Sequence, residues 1–287
     1  NKVFLPSNPG TSDLTGKACN ANTIHWSYDT WMLAHATGSA LVKSGGTSWY
    51  FITADYAFGH ALQRDTTQFV ESAGGKVLGA SAYPFPGTHD FSSFLLQAQA
   101  SGAKVIGFAN AGADTINSIK QAKEFGINQT LAGLLVFISD VHSLGLKTAE
   151  GLVISSPFYW DLNDRTRAFS QRLWAKAPNV RAGMGQAGDY SAALHYLKVA
   201  QEMGVAEAKQ SGAATVARMK AMPTDDDCFG KGSIREDGRK LHPAYLFQVK
   251  KPGESRQPWD YYALRATIPA DEAFRPLKDG GCPLVKS

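Results

Sequence analysis

Residues 48–80 read SWYFITADYAFGHALQRDTTQFVESAGGKVLGA. The stretch opens at 48–53 on a short run of apolar, aromatic and β-branched residues, the signature of a buried strand. Leu62, Phe69 and Val70 then fall at helical spacing across 60–73, and Gly74-Gly75 stops the helix. A second strand starts at 76–80 (KVLGA). Further along, the pattern predicts a helix at 91–100, a strand at 104–109 and a helix at 114–125. A strand at 131–138, a short helix at 140–148 and a strand at 151–156 follow. Such alternation implies βαβ units and a parallel sheet. The strands are apolar on both faces, as a sheet covered by helices on each side requires. Residues 47–156 thus predict one doubly wound α/β lobe.

The flanks read differently. Residues 1–7 suggest a strand entering a Pro/Gly/Ser/Asn turn, and 30–42 a helix. After Phe158-Tyr159-Trp160 come helical stretches at 165–175, 188–203 and 213–222. A Gly-rich segment at 230–238 and strands near 245–249 and 261–266 complete the chain. These flanks hold too few strands for a second full lobe. Either that lobe is small and irregular, or its first strands lie upstream of Asn1.

Composition narrows the function. The chain of 287 residues is 44% apolar and 19% charged, as ordinary globular proteins are. Its formal charge of +4 is spread without runs, so there is no nucleic-acid footprint and no polybasic membrane patch. Residues 1–5 (NKVFL) lack the basic start and apolar run of a signal peptide, as a processed or truncated chain does. Cys19, Cys228 and Cys282 form no CxxC pair, which argues against structural zinc. Three reduced thiols, or one disulfide and one free thiol, remain open on spacing alone. No P-loop, GxGxxG, GxSxG or HExxH motif occurs, and the seven histidines make no metal-ligand pattern. No cofactor, metal site or catalytic residue is therefore expected. Asp225-Asp226-Asp227 reads as a solvated turn after Pro223.

In open α/β sheets, ligands bind outside the carboxyl ends of the strands. The residues just past each expected strand are 55–59 (DYAFG), 110–112 (NAG), 137–140 (FISD) and 158–160 (FYW). Aromatic faces, a carboxamide and a hydroxyl along one edge suit a small-molecule site. For Phe58 and Phe137 a core position is an equal alternative. Asp114 and Asp140 read better as helix N-caps than as ligand contacts.

At 54–62 (ADYAFGHAL) the chain resembles periplasmic solute-binding proteins of the branched-chain amino acid ABC transporter family. The segments LPSNPGTSDLT at 5–15, HDFSSFLLQA at 89–98, KQAKEFG at 120–126, FYWD at 158–161, GRKLH at 238–242 and VKKPGESRQP at 249–258 extend that likeness in consistent order. The resemblance is to a proteobacterial subgroup. It implies a type I periplasmic binding protein: two Rossmann-like doubly wound lobes, three hinge crossovers, and here an incomplete lobe one, because members carry further residues upstream. The implied partition is 1–46 to lobe one and the first crossover, 47–158 to lobe two, 159–245 to the return into lobe one, and 246–287 to the last crossover and tail.

The resemblance further implies a monomer in the periplasm that holds a small organic acid or amino acid in an inter-lobe cleft and delivers it to ABC transporter permease subunits. No chemistry is done on the ligand. Its lobe-one contacts map to Asn8, Gly10 and Thr11, and its lobe-two contacts to Tyr56, Phe58, Asn110, Ala111 and Phe137. Tyr159, Trp160 and Tyr190 are expected at the hinge side of the site; for nearby Trp26, core packing is an equal alternative. The acid that takes a ligand ammonium in amino acid binders has no counterpart near Phe137, which favours an aromatic or aliphatic carboxylate. The same resemblance implies a Cys19–Cys282 disulfide. A ligand-sensing receptor domain, or a hydrolase with an unrecognised site, are the competing readings.

Overall fold

The computed structural model describes residues 1–286, which divide into two compact units. Unit 1 takes Asn1–Asp29, Pro157–Ala244 and the chain from Ile268 onward; unit 2 takes Thr30–Ser156 and Tyr245–Thr267.

Unit 2 begins with helix α1 (Thr30–Lys43). Then β1 (Ser48–Asp55), α2 (Ala57–Ser72), β2 (Lys76–Pro84), α3 (Ser92–Ala100), β3 (Val105–Ala109) and α4 (Ala113–Glu124) alternate. They are followed by β4 (Thr130–Gly133), α5 (Ile138–Leu144), α6 (Leu146–Ala149) and β5 (Val153–Ser156). Helix α2 buries Leu62, Thr66 and Val70, one residue per turn on a single face. Helix α1, grouped with lobe one on sequence, packs instead in unit 2, where Trp31 meets Phe69 of α2 edge-on at 4.9 Å. Gly38 faces α2 at this contact, where a Cβ would meet the Phe69 and Thr66 side chains at 3.4 and 3.5 Å, ordinary van der Waals distances.

The chain then builds unit 1 with α7 (Asp164–Lys176), α8 (Met184–Met203), α9 (Val205–Gln210) and α10 (Gly212–Ala221). A small antiparallel sheet follows, β6 (Thr224–Asp226), β7 (Gly230–Ile234) and β8 (Lys240–Leu241). The expected strand at 1–7 shrinks to one parallel bridge, Phe4 to Thr23; a second bridge joins His25 to Arg239. Cys19 and Cys282 form a disulfide with Cα atoms 5.6 Å apart, and Cys228 is a buried free thiol. The acidic run is not the solvated turn expected. Asp226 is buried and accepts from the Ser191 hydroxyl and from the Cys228 and Phe229 N–H groups, while Asp225 and Asp227 pair with Arg165, and Asp227 also with Arg172.

Strands β9 (Ala244–Val249) and β10 (Tyr262–Ile268) return to the large sheet, whose order is β10-β9-β5-β4-β3-β1-β2. Strands β1 to β5 are parallel to their neighbours, and β9 is antiparallel to β5. In β1 and β3 nearly every residue is buried, whereas edge strand β2 alternates, with Tyr83 inside and Leu78 outside. Two strand ends differ most from the sequence reading. β2 continues to Pro84, and β4 stops at Gly133, leaving Leu134, Leu135 and Val136 buried in the turn before α5. Apolar burial is satisfied there by either backbone shape, so hydrophobicity alone does not locate the end.

Candidate functional site

The run β2-β1-β3-β4-β5 reverses direction between β1 and β3: the chain leaves β1 outward to β2 and comes back to β3 on the other side. Such a switch point is where crossovers diverge and a crevice opens at the carboxyl ends of the strands. The loops past β1 and β3 are the ones that hold Tyr56, Phe58, Asn110 and Ala111. Helix α2 starts hard against this edge. A Cβ on Gly59 would collide with the Ala54 carbonyl oxygen and lie 3.1 Å from that of Ala109. Only glycine lets the first turn of α2 sit directly on the strand ends.

The rim is aromatic. Tyr56 is half-buried and lies face to face with Phe85, ring centroids 4.3 Å apart at 16°, with Phe58 at 5.9 Å. Burial first, then the charge of Asp114, pushes the Tyr56 phenol above its usual range, so its hydroxyl stays a donor. Tyr83, wholly buried, donates its hydroxyl to Asp114 at 2.7 Å. Phe137 is partly exposed at the start of α5, where its N–H donates to the Asp140 carboxylate at 2.9 Å. Burial raises the Asp140 carboxyl against the opposing effect of that bond. Asp55, at the end of β1, is joined to His60 at 2.7 Å.

The structure redistributes the expected site residues. Tyr56, Phe58, Ala111 and Phe137 lie at the strand-end rim of unit 2 with partly exposed side chains. Asn110 lies there too, but its carboxamide is directed inward: Oδ1 accepts from Thr115 at 2.7 Å and Nδ2 donates to Ser118 at 3.4 Å. It shapes the turn into α4, and Gly112, at φ 60°, completes that turn. Phe158, Tyr159 and Trp160, placed on this rim by sequence, belong to unit 1, because the chain leaves unit 2 after Ser156. All three are buried; Trp160 packs on Trp174 at 5.2 Å and Phe158 on Phe169 at 5.9 Å. Tyr190 on α8 is half-buried against Phe169 at 4.7 Å. Trp26 is a core residue, 0% exposed, its indole donating to Ser191.

In unit 1 the turn holding Asn8, Gly10 and Thr11 is fastened by its carbonyls. The Pro6 carbonyl accepts from the Trp26 N–H, that of Asn8 from the Tyr28 hydroxyl at 2.8 Å, and that of Pro9 from the His25 ring at 2.7 Å. Burial, then the Arg239 cation, holds His25 far below its usual range, so the neutral ring donates through Nε2. The N–H groups of Asn8, Gly10 and Thr11 meet no acceptor among the described residues. Ser7 is 2% exposed, yet its hydroxyl has no hydrogen-bond partner there either. The Thr11 hydroxyl is committed to capping the short 3-10 helix Ser12–Thr15 through the Asp13 N–H.

Sequence reasoning missed Phe85 and the orientation of Asp114. The signal for Phe85 is the Tyr83-Pro84-Phe85-Pro86-Gly87 turn, which lies beyond the strand end expected at 80. Among the described residues no group of acids, histidines and cysteines is arranged to hold a metal ion, and no helix is long and apolar enough to cross a membrane.

A family model described as periplasmic binding protein matches residues 1–254. A periplasmic binding protein from Burkholderia mallei is similar at 48% identity and TM-score 0.93, over 99% of this chain and 75% of that one. A branched-chain amino acid ABC transporter periplasmic ligand-binding protein from Burkholderia xenovorans LB400 is 34% identical, TM-score 0.85, with the same coverage. An ABC transporter solute-binding protein from R. palustris, solved in complex with benzoate, shares the fold at TM-score 0.82 and 20% identity, over 98% of this chain and 74% of that one. No curated protein matches. By its family match and its two Burkholderia relatives, the chain belongs to the periplasmic binding protein family, with the type I fold of the branched-chain amino acid ABC transporter group.

Proposed function

We propose that this protein is the periplasmic solute-binding component of an ABC transporter, that it captures a small organic carboxylate, and that it passes the ligand unchanged to membrane permease subunits. The observation that carries this reading is the turn at 7–11. The Asn8 and Pro9 carbonyls are used inside unit 1, while among the described residues the N–H groups of Asn8, Gly10 and Thr11 and the buried Ser7 hydroxyl meet no partner. Such a turn offers several donors close together, and a carboxylate is the small group that needs several donors and no acceptor. The rings of Tyr56, Phe58 and Phe85 supply the apolar surface for the ligand's body. Benzoate in the R. palustris protein is one ligand of this description.

Native mass spectrometry of freshly purified protein, followed by calorimetric titration with the carboxylate so identified, tests the reading. The ligand is expected to bind one to one and to be recovered chemically intact. Tyr56→Ala and Phe58→Ala are each expected to weaken it by about tenfold or more. Turnover of the bound compound would point to the hydrolase reading, and unaltered affinity in both variants would remove the rim from the site.

A further inference from the structure

The sequence gives Asp114 to helix capping, but in the structure the residue does something else. The cap position of α4 belongs to Gly112, and no side chain caps that helix end. The Asp114 carboxylate turns instead toward β2 and accepts the Tyr83 hydroxyl through Oδ2 at 2.7 Å. Tyr83 is 0% exposed and wedged against Phe91 at 5.0 Å, edge to face, so it is a fixed anchor. The other Asp114 oxygen has no donor among the described residues, and the residue is partly open to solvent. The first turn of α4 favours a negative charge at this place. The remaining strand-end acids are differently placed: Asp140 is turned back onto the Phe137 N–H, and Asp55 is an exposed partner of His60. Asp114 therefore stands beside the β1–β3 switch point as an anchored carboxylate with one oxygen open.

We propose that Asp114 is a specificity-determining residue that accepts a hydrogen bond from a donor on the ligand, an ammonium or a hydroxyl group. The carboxylate missing near Phe137 is thus supplied from the first turn of α4. The inference rests on the proposed function and deepens it, because it makes the ligand a carboxylate with a second, donor-bearing end. A charge-assisted bond of this kind is worth about tenfold or more in affinity. Tyr83 is a positioning residue, since it acts only by holding that carboxylate.

The test is calorimetric titration with three probes: benzoate, which has no donor; 4-hydroxybenzoate, with a hydroxyl; and L-leucine, with an ammonium. At least one donor-bearing probe is expected to outbind benzoate by about tenfold, and the stronger of the two says which donor is read. Asp114→Asn, checked for folding by its thermal melt, is expected to cut that ratio to about threefold or less. Tyr83→Phe keeps the carboxylate but frees it, and is expected to reduce the ratio in the same direction by a smaller factor. A ratio that persists in both variants, or benzoate binding as tightly as both other probes, overturns the role of Asp114 while leaving a carboxylate binder. Failure of all three probes to bind counts against the carboxylate reading itself.

Discussion

In unit 2 the large side chains sealed from water include Trp49, Phe51, Tyr83, Phe91 and Phe108; in unit 1 Arg239 and Lys240 are sealed just as fully, beside Trp26 and Phe274. The Arg239 guanidinium donates to the carbonyls of Ser27 and Lys240, pairs with Asp29 at 3.4 Å and lies 4.3 Å from the centre of the Phe274 ring. Unit 2 is held chiefly by non-directional burial of apolar strands, whereas unit 1 adds to its own apolar core directed bonds to buried cations. Non-directional cores forgive small changes in shape, whereas a buried ion tolerates little, because removing one partner strands the other in a low dielectric.

The contrast can be broken most sharply at the disulfide. Both of its cysteines belong to unit 1, 263 residues apart in sequence. Replacing Cys19 and Cys282 by Ser is expected to cost up to about 5–6 kcal/mol in urea unfolding on the chain-entropy view. Hydrogen exchange is expected to rise first in α7 to α10 and later in β1 and β3. Equal loss of protection in both regions would mean that the two units melt as one body.

Arg239→Ala is the next largest effect. It leaves Asp29 buried without its cation and is expected to destabilise the protein by about 3–5 kcal/mol. Arg239→Met, which fills the volume but removes the charge, sharpens the point when paired with Asp29→Asn. If the double variant recovers most of the loss, the penalty came from the stranded ion and not from packing.

The last effect is graded with acid and is the smallest of the three at neutral pH. Burial, then Lys240 and Arg239, pulls the His242 imidazole from 6.5 down to about 3. Because the folded value lies below the unfolded one, the stabilisation of the neutral ring is complete above about pH 6.5 and drains away as pH falls toward 3. His242→Asn is expected to flatten that acid limb in a fluorescence-monitored titration while changing little at pH 7. An unchanged slope would place the acid sensitivity elsewhere.

The same division decides how much of the molecule was readable in advance. The helices and strands of unit 2 stood out because Leu62 and Val70, or Trp49 through Ile52, repeat with the period of the element they form. The strand-end rim followed, since the residues past β1 and β3 are fixed once the strands are. In unit 1 the partners are distant in sequence: β7 begins Gly-Lys-Gly-Ser and owes its form to pairing with β6 and β8, not to local preference. Nothing in the residues around Arg239 signals that Asp29 and Phe274 enclose it. The disulfide and the turn at 7–11 came from family likeness, whereas the outward role of Asn110 failed because Thr115 and Ser118, one helical turn away, compete for its amide.

The carbonyl-fastened turn at 7–11 has a chemical consequence of its own. Peptide amides carry no proton that ordinary pH can remove, and the histidine that braces the turn is neutral and enclosed. The donor character of these amides is thus permanent across ordinary pH. If the turn holds a carboxylate as proposed, the acidity at which that end of the ligand is taken up is set by the guest's own ionisation.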